Sequence, residues 1–204
     1  MSPKAKDCGN HGGKHKWKLA QSLFACLLLF IIVILFIIFV IWLVLRPTKP
    51  RFVLQDATIF NFTVAAPNIL NTVMQVTIYS RNRMDRVGIY YGHLDVFASY
   101  RSQQITLNTV IQPSYQGHND VTVWSPFLYG ANVPVSTYLT SALSGDQNVG
   151  FIPLSIRVDG RLRWKVGTWT SSHYRLHVNC PAFLSYNPAG AIRLQQPVSC
   201  SVDV

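Results

Sequence analysis

The sequence predicts a mainly β protein: one N-terminal transmembrane α-helix, then an antiparallel β-sandwich carrying one short helix. Three observations predict it. Leu23 to Leu45 run without a charge, amide or hydroxyl, and about 23 such residues cross a bilayer core as one helix. Beyond Arg46 the usual fillers of exposed helix faces are nearly missing, since the chain has no Glu and only Lys49 and Lys165 follow as lysines, whereas Val, Ile, Thr, Tyr and Phe abound. Turn residues recur in that part at roughly ten-residue spacing, as short strands require.

The elements follow in chain order. Residues 1–18 read as a basic cytosolic tail with Lys4, Lys6, Lys14, Lys16 and Lys18 against Asp7 alone. Residues 19–45 read as the membrane helix. The run is apolar all round rather than two-faced, and it is longer than the roughly 7–15 apolar residues of a cleaved signal. Arg46, Lys49 and Arg51 follow the run, so the Lys and Arg bias toward a cytosolic N-terminus is modest. Trp17 and Lys18 at one end, and Trp42 and Arg46 at the other, fit interface anchors that bury an apolar body and keep a polar tip wet. Residues 46–51 form a stiff linker, because Pro47 and Pro50 cannot extend a helix.

Residues 52–204 read as one domain. Phe52 to Val64 holds one or two strands and ends at Ala66-Pro67-Asn68. Val73 to Tyr79 places Met74, Val76 and Ile78 on one face, and Leu94, Val96, Ala98 and Tyr100 share a face of the next strand. A turn at Arg101-Ser102 leads into Gln103 to Val110, where Ile105 and Leu107 share a side. Val121 to Trp124 follows. Val135, Tyr138, Leu139 and Ala142 then fall at helical spacing between Pro134 and Gly145. Asp159-Gly160 reads as a tight hairpin turn between Phe151–Val158 and Leu162–Val166. His173 to Cys180 and Ile192 to Val204 complete a two-sheet set of the immunoglobulin/fibronectin-III type, with a barrel as the second arrangement.

Cysteines and charge bound the function. Cys8 lies in the tail, Cys26 in the span, and Cys180 and Cys200 alone belong to the domain. On an oxidising side these two can pair and close a loop of about 20 residues, stabilising the fold by roughly 3 kcal/mol. Asn61-Phe62-Thr63 is a glycosylation acceptor usable on that same side. Cys8 is placed for acylation at the inner leaflet. The net charge of +10 is not a nucleic-acid footprint, because five of the 18 basic residues lie in the tail beside the membrane. The thirteen basic residues from Arg46 onward face seven Asp, which favours acidic partners such as wall polymers or acidic proteins. Arg81, Arg83 and Arg86, between two strands, form a candidate contact surface, since Arg pairs carboxylates bidentately.

No catalytic, cofactor or metal site emerges. The domain's His93, His118, His173 and His177 come without a phosphate loop, nucleophile elbow or Cys-x-x-Cys pair. On a strand, His173 and His177 stand about 13 Å apart, too far to share an ion. His93 and Asp95 are separated along a strand rather than paired across it. His11 and His15 lie in a Gly-rich, solvated tail.

Several stretches together resemble the plant NDR/HIN-like (harpin-induced-like) proteins. They are Ser80-Arg81-Asn82 through Gly88-Ile89-Tyr90-Tyr91, Gln116-Gly117-His118 with Val123-Trp124-Ser125, Val158-Asp159-Gly160-Arg161 with Arg163 to Trp169, and His177-Val178-Asn179-Cys180 with Cys200 to Val204. The domain resembles the group 2 late-embryogenesis-abundant module. The resemblance implies a single-pass plasma-membrane protein with its sandwich on the wall side, acting in pathogen defence and stress responses, including at plasmodesmata. Its partners would be membrane lipids through the span and other membrane proteins or acidic wall polymers at the domain. A dehydration-protective or lipid-binding structural role is the alternative, and an ectoenzyme the third class. One departure is visible: Asn82-Arg83-Met84 stands where the family often has Asn-Pro-Asn, so no proline presets that turn. Tyr90 and Tyr91 should straddle the sheet, one ring inside and one outside.

Overall fold

A computed structural model describes residues 12–44, 48–65, 68–185 and 192–204, with the side chains of residues 12–20 and 41–44 outside that description. The chain divides into two units, Met1–Arg46 and Pro47–Val204.

In the first unit, helix α1 runs Gly12–Val44. It starts within the stretch read as tail, so the backbone of Lys14 to Lys18 is already helical. The segment Gln21–Val40 has a mean hydropathy of 3.6, with none of it buried. A helix apolar on every side and covered by nothing suits a lipid solvent. Cys26 on it is an exposed free thiol. The side chains of Trp17, Lys18 and Trp42, all of Arg46 and Cys8, and the Ala66-Pro67 pair lie outside the described residues.

The second unit holds, among its described residues, β1 (Arg51–Ala65), β2 (Ile69–Arg81), β3 (Gly88–Tyr100), β4 (Gln103–Gln104), β5 (Thr109–Ile111), β6 (Ser114–Gln116), β7 (Val121–Trp124) and β8 (Phe127–Pro134), then α2 (Thr137–Val149), β9 (Phe151–Val166), β10 (Trp169–Thr170), β11 (Tyr174–Ser185), β12 (Ile192–Leu194), β13 (Val198–Ser199) and β14 (Ser201–Asp203). The order β4-β3-β9-β11-β12-β1-β2-β7 makes one continuous ladder, antiparallel in its long pairings. Two separate sheets were the expectation, and the difference has a local cause. The C-terminal segment stitches the halves together, because β12 pairs with both β11 and β1, β13 with β1, and β14 with β11. Bulges in β1 near Leu54/Asp56 and Ile59/Asn61, and in β3 between Tyr91 and Leu94, bend the strands. The sheet curls until its far edges meet, where Leu107 N donates to Tyr129 O at 2.8 Å and Thr109 Oγ1 to Phe127 O at 3.0 Å.

The alternating faces form the core. Met74, Val76 and Ile78 of β2, and Leu94, Val96, Ala98 and Tyr100 of β3, are all buried. They pack with Ile152, Ile156, Leu162 and Trp164 of β9 and with Leu176, Val178 and Leu184 of β11. Cys180 and Cys200 form a disulfide at the seam between β11 and the C-terminal segment, and Cys200 N donates to Phe52 O of β1 at 3.0 Å.

Three local expectations need correction. Asp159-Gly160 is not a turn; it lies inside the 16-residue strand β9. A Cβ on Gly160 would stand 2.6 Å from both His93 O and Leu94 Cδ2, so this glycine lets β9 lie against the β3 bulge. Leu107 does not share the side of buried Ile105; it is exposed, because the strand stops at Gln104 and the chain turns outward. The helix does not end at Gly145. It continues to Gly150, whose left-handed φ of 88° closes it, and Ser136 caps its start by accepting from Leu139 N. Its buried residues are Leu139 and Leu143, while Tyr138 points outward.

Candidate functional site, a basic and aromatic cleft

The motif residues between β2 and β7 divide into a buried polar frame and an exposed rim. Tyr91 is buried, with Phe52 edge-on at 6.1 Å and Trp124 edge-on at 5.3 Å. Its hydroxyl lies 2.7 Å from Ser80 Oγ and donates to Gln116 Oε1 at 3.0 Å. Gln116 Nε2 in turn donates to Ser80 O and Asp120 O. Burial pushes the Tyr91 phenol well above its ordinary value, against a smaller opposing effect of the Ser80 bond. This closed network leaves none of the three side chains unpaired, which is what a buried polar group requires.

Asn82 holds the loop that no proline presets. It is fully buried. Its Nδ2 donates to Val87 O at 2.7 Å and Gly117 O at 2.8 Å, while its Oδ1 accepts from Met84 N at 3.1 Å. The last bond is an Asx turn, which sets the loop without a fixed φ. Asn119 Nδ2 also bonds Asp85 Oδ1 across the neighbouring loop. Arg81, Arg83 and Arg86 stand exposed around this loop. Arg81 is opposite Arg51 in the β1–β2 register, a like-charge pair. None of the three is in an ion pair among the described residues.

Beyond the loop, the outer face of β3, β6 and β9 forms a cleft of about 370 Å³. Alternation along β9 buries Val158, Leu162 and Trp164 and turns Arg157, Asp159, Arg161, Arg163 and Lys165 outward. In register, Tyr90 of β3 pairs with Arg163 on one side and with Tyr115 of β6 on the other. The two rings lie 4.5 Å apart. Lys165 Nζ sits 5.5 Å from the Tyr90 centroid and 5.2 Å from that of Tyr115, donating to Tyr90 Oη at 3.3 Å. The Arg163 guanidinium lies 5.7 Å from the Tyr90 centroid. These contacts hold the cations by ring quadrupoles rather than by carboxylates.

The next cross-strand row places Arg161 directly opposite Arg175 of β11, and like charges so placed repel. Gly92 lines the cleft floor between the rows and adds no side chain to fill it. His173 reaches the same cleft, whereas His177 is held apart by Asp159, at 2.9 Å from Nδ1 to Oδ1. His93 stands exposed at the β3 bulge. Among the described residues no group of three or more His, Cys, Asp or Glu side chains is placed to hold a metal ion. Asn61 is exposed on β1 beside the bulge that turns out Phe60.

Sequence reasoning missed this cleft. The signal was present as basic residues at every second position from Arg161 to Lys165, but reading Asp159-Gly160 as a turn cut the stripe from its strand.

The family model for the late embryogenesis abundant protein LEA_2 matches residues 77–180, from within β2 to Cys180 in the middle of β11. NDR1/HIN1-like protein 12 of Arabidopsis thaliana is 53% identical over 180 residues, covering 88% of this chain and 86% of that protein. NDR1/HIN1-like protein 1 of the same plant is 46% identical over 209 residues, covering 98% of this chain and 100% of that one. NDR1/HIN1-like protein 26 is 38% identical, covering 89% and 86% respectively. With its polar frame, disulfide seam and apolar helix on this common length, the chain belongs to the NDR1/HIN1-like family and carries a late embryogenesis abundant domain.

Proposed function

We propose that this chain is a single-pass plasma-membrane protein of plants that acts in pathogen defence and stress responses through a wall-facing, non-catalytic interaction domain, including at plasmodesmata. The observation that carries the reading is the combination of an uncovered apolar helix with a disulfide confined to the following domain. A disulfide persists on the oxidising side of a membrane, which supports a cytosolic N-terminal tail. Family membership supports the defence setting. The anchor raises the domain's effective concentration toward neighbouring membrane proteins and wall polymers without tight intrinsic affinity. Arg81, Arg83 and Arg86 supply a contact surface for acidic partners. Asn61, on the same side as the disulfide, is available for glycosylation.

Alkaline carbonate extraction and nonreducing electrophoresis of the native protein test this together. The account predicts that the full chain stays in the membrane pellet and that its mobility shifts on reduction. Release into the supernatant, or a free Cys180–Cys200 thiol pair in freshly blocked tissue, contradicts it. A lipid-handling structural role has one observation in its favour, the exposed rings of Phe60, Phe127 and Tyr129, spaced 6.1 and 6.3 Å along the outer face of β1 and β8. Flotation with neutral vesicles that is abolished by Phe60→Ser together with Phe127→Ser would favour that role over the first.

A further inference from the structure

We infer that the cleft between β3, β6 and β9 is a binding site for an acidic saccharide, a short uronate-containing glycan whose sugar ring lies against Tyr115 and whose carboxylates pair with Arg161 and Arg163. The inference rests on the wall-facing reading above, because it requires the domain to meet glycans.

The cations are the first ground. Arg161, Arg163, Lys165 and Arg175 share one outer face, and the ion pairs among the described residues, Lys49–Asp203, Arg101–Asp146 and His177–Asp159, use none of them. The carboxylate nearest along β9, Asp159, is engaged by His177. Neither of the opposed Arg161 and Arg175 is in an ion pair among the described residues, and an anion seated between the rows relieves their repulsion. Lys165 and Arg163 are already fixed against Tyr90 and Tyr115, so less side-chain freedom is lost when an anion binds.

The shape and the rings give the second ground. Tyr115 is 46% exposed, a flat apolar surface beside the charges, as a sugar ring's C–H face needs. At about 370 Å³ the space falls at the small end of ligand clefts, about 300–1,000 Å³. An extended acidic peptide is less suited, because such peptides add to a sheet edge by backbone pairing, whereas these side chains project from a sheet face.

Isothermal titration of the detergent-solubilised full chain with an oligogalacturonate of about six residues tests the site. Its fully methyl-esterified form, dextran sulfate, and vesicles containing phosphatidylserine serve as comparisons. The proposal predicts binding of the free acid and at least tenfold weaker binding of the ester. Arg161→Ser with Arg163→Ser should weaken binding by about 10–100-fold, the loss expected for charge-assisted hydrogen bonds. Tyr115→Ala should weaken it further on its own, and thermal melts of each variant separate lost contacts from lost fold. Arg193→Ser on β12, exposed and outside the cleft, should retain the affinity, and Arg81→Ser with Arg83→Ser and Arg86→Ser is the competing variant. Equal affinity for dextran sulfate at matched charge shows a general polyanion effect and overturns the proposal, as does binding to the vesicles alone. Loss with the Arg81, Arg83 and Arg86 variant but not with the cleft variant also overturns it, while leaving the membrane-anchored interaction function intact.

Discussion

Asn82 shows how a single buried amide holds a loop together. Its side chain satisfies Val87 O, Gly117 O and Met84 N, so Asn82→Ala removes the side-chain partner of three main-chain groups. We expect a loss of at least about 2 kcal/mol, seen as a lower urea midpoint. Asn82→Asp should not restore it, because a carboxylate cannot donate to either carbonyl. A second residue-scale effect is the alkaline limit. Burial, and next the Asp146 carboxylate that its hydroxyl contacts at 2.6 Å, push the Tyr100 phenol up to about 12. The unfolded chain gives up this proton near 10 and the folded chain holds it longer, so the unfolded state binds fewer protons between those values. This stabilisation is therefore complete below about pH 10 and is lost as pH rises through about 12. Tyr91, raised for the same reason, acts in the same direction. Urea midpoints measured from pH 8 to 11 should fall beyond pH 10 in the native protein and fall less in Tyr100→Phe. A midpoint that rises over that range contradicts the assignment. The Tyr90–Tyr91 alternation was legible in the sequence, since period two alone puts one ring in and one out. The Gly117 partner of Asn82 was not legible, because it comes from a loop some 35 residues away.

Among elements, β2 and the second half of β3 were readable because their apolar faces alternate without interruption. The errors fell where backbone and packing departed from the local signal. Asp-Gly is a strong turn pair in isolation, yet Gly160 is needed where β9 passes the β3 bulge. Gly160→Ala is therefore expected to destabilise by about 1–3 kcal/mol through overpacking, measured as a lower melting temperature, whereas Gly145→Ala on α2 should be neutral or stabilising, as nothing lies within 4 Å of its added Cβ. If Gly160→Ala were as benign as Gly145→Ala, the close approach of the two strands would be wrong. The same misreading hid the cleft, because the row from Arg161 to Lys165 becomes a cationic face only once β9 is a single strand. Leu107 failed similarly: its apolar character suggested a core side, but the break after Gln104 and its bond to Tyr129 turn it outward.

On the scale of the whole molecule, the curl closes through the C-terminal residues. β1 and β11 are joined by β12 to β14 and by the Cys180–Cys200 bridge, so the seam depends on a covalent bond, one that persists in an oxidising environment. Cys200→Ser should cost about 3 kcal/mol and lower the urea midpoint, with a matching fall when the native protein is reduced; equal stability of the two forms would remove the bridge from the stability account. The apolar helix and the mainly β part after it were legible from composition alone, as an apolar run and a Glu-free, β-branched stretch. The single curled ladder was not, because pairings between β1, β11 and the last dozen residues span the length of the domain and leave no local trace.

The most direct test of the central claim, an anchored chain with its β domain outside, is digestion of intact plasmolysed cells expressing the protein with a tag at each end. The account predicts that external protease removes the C-terminal tag and the domain while the N-terminal tag survives on a membrane-bound fragment. Loss of the N-terminal tag with a protected domain, or protection of both until the cells are lysed, would contradict it.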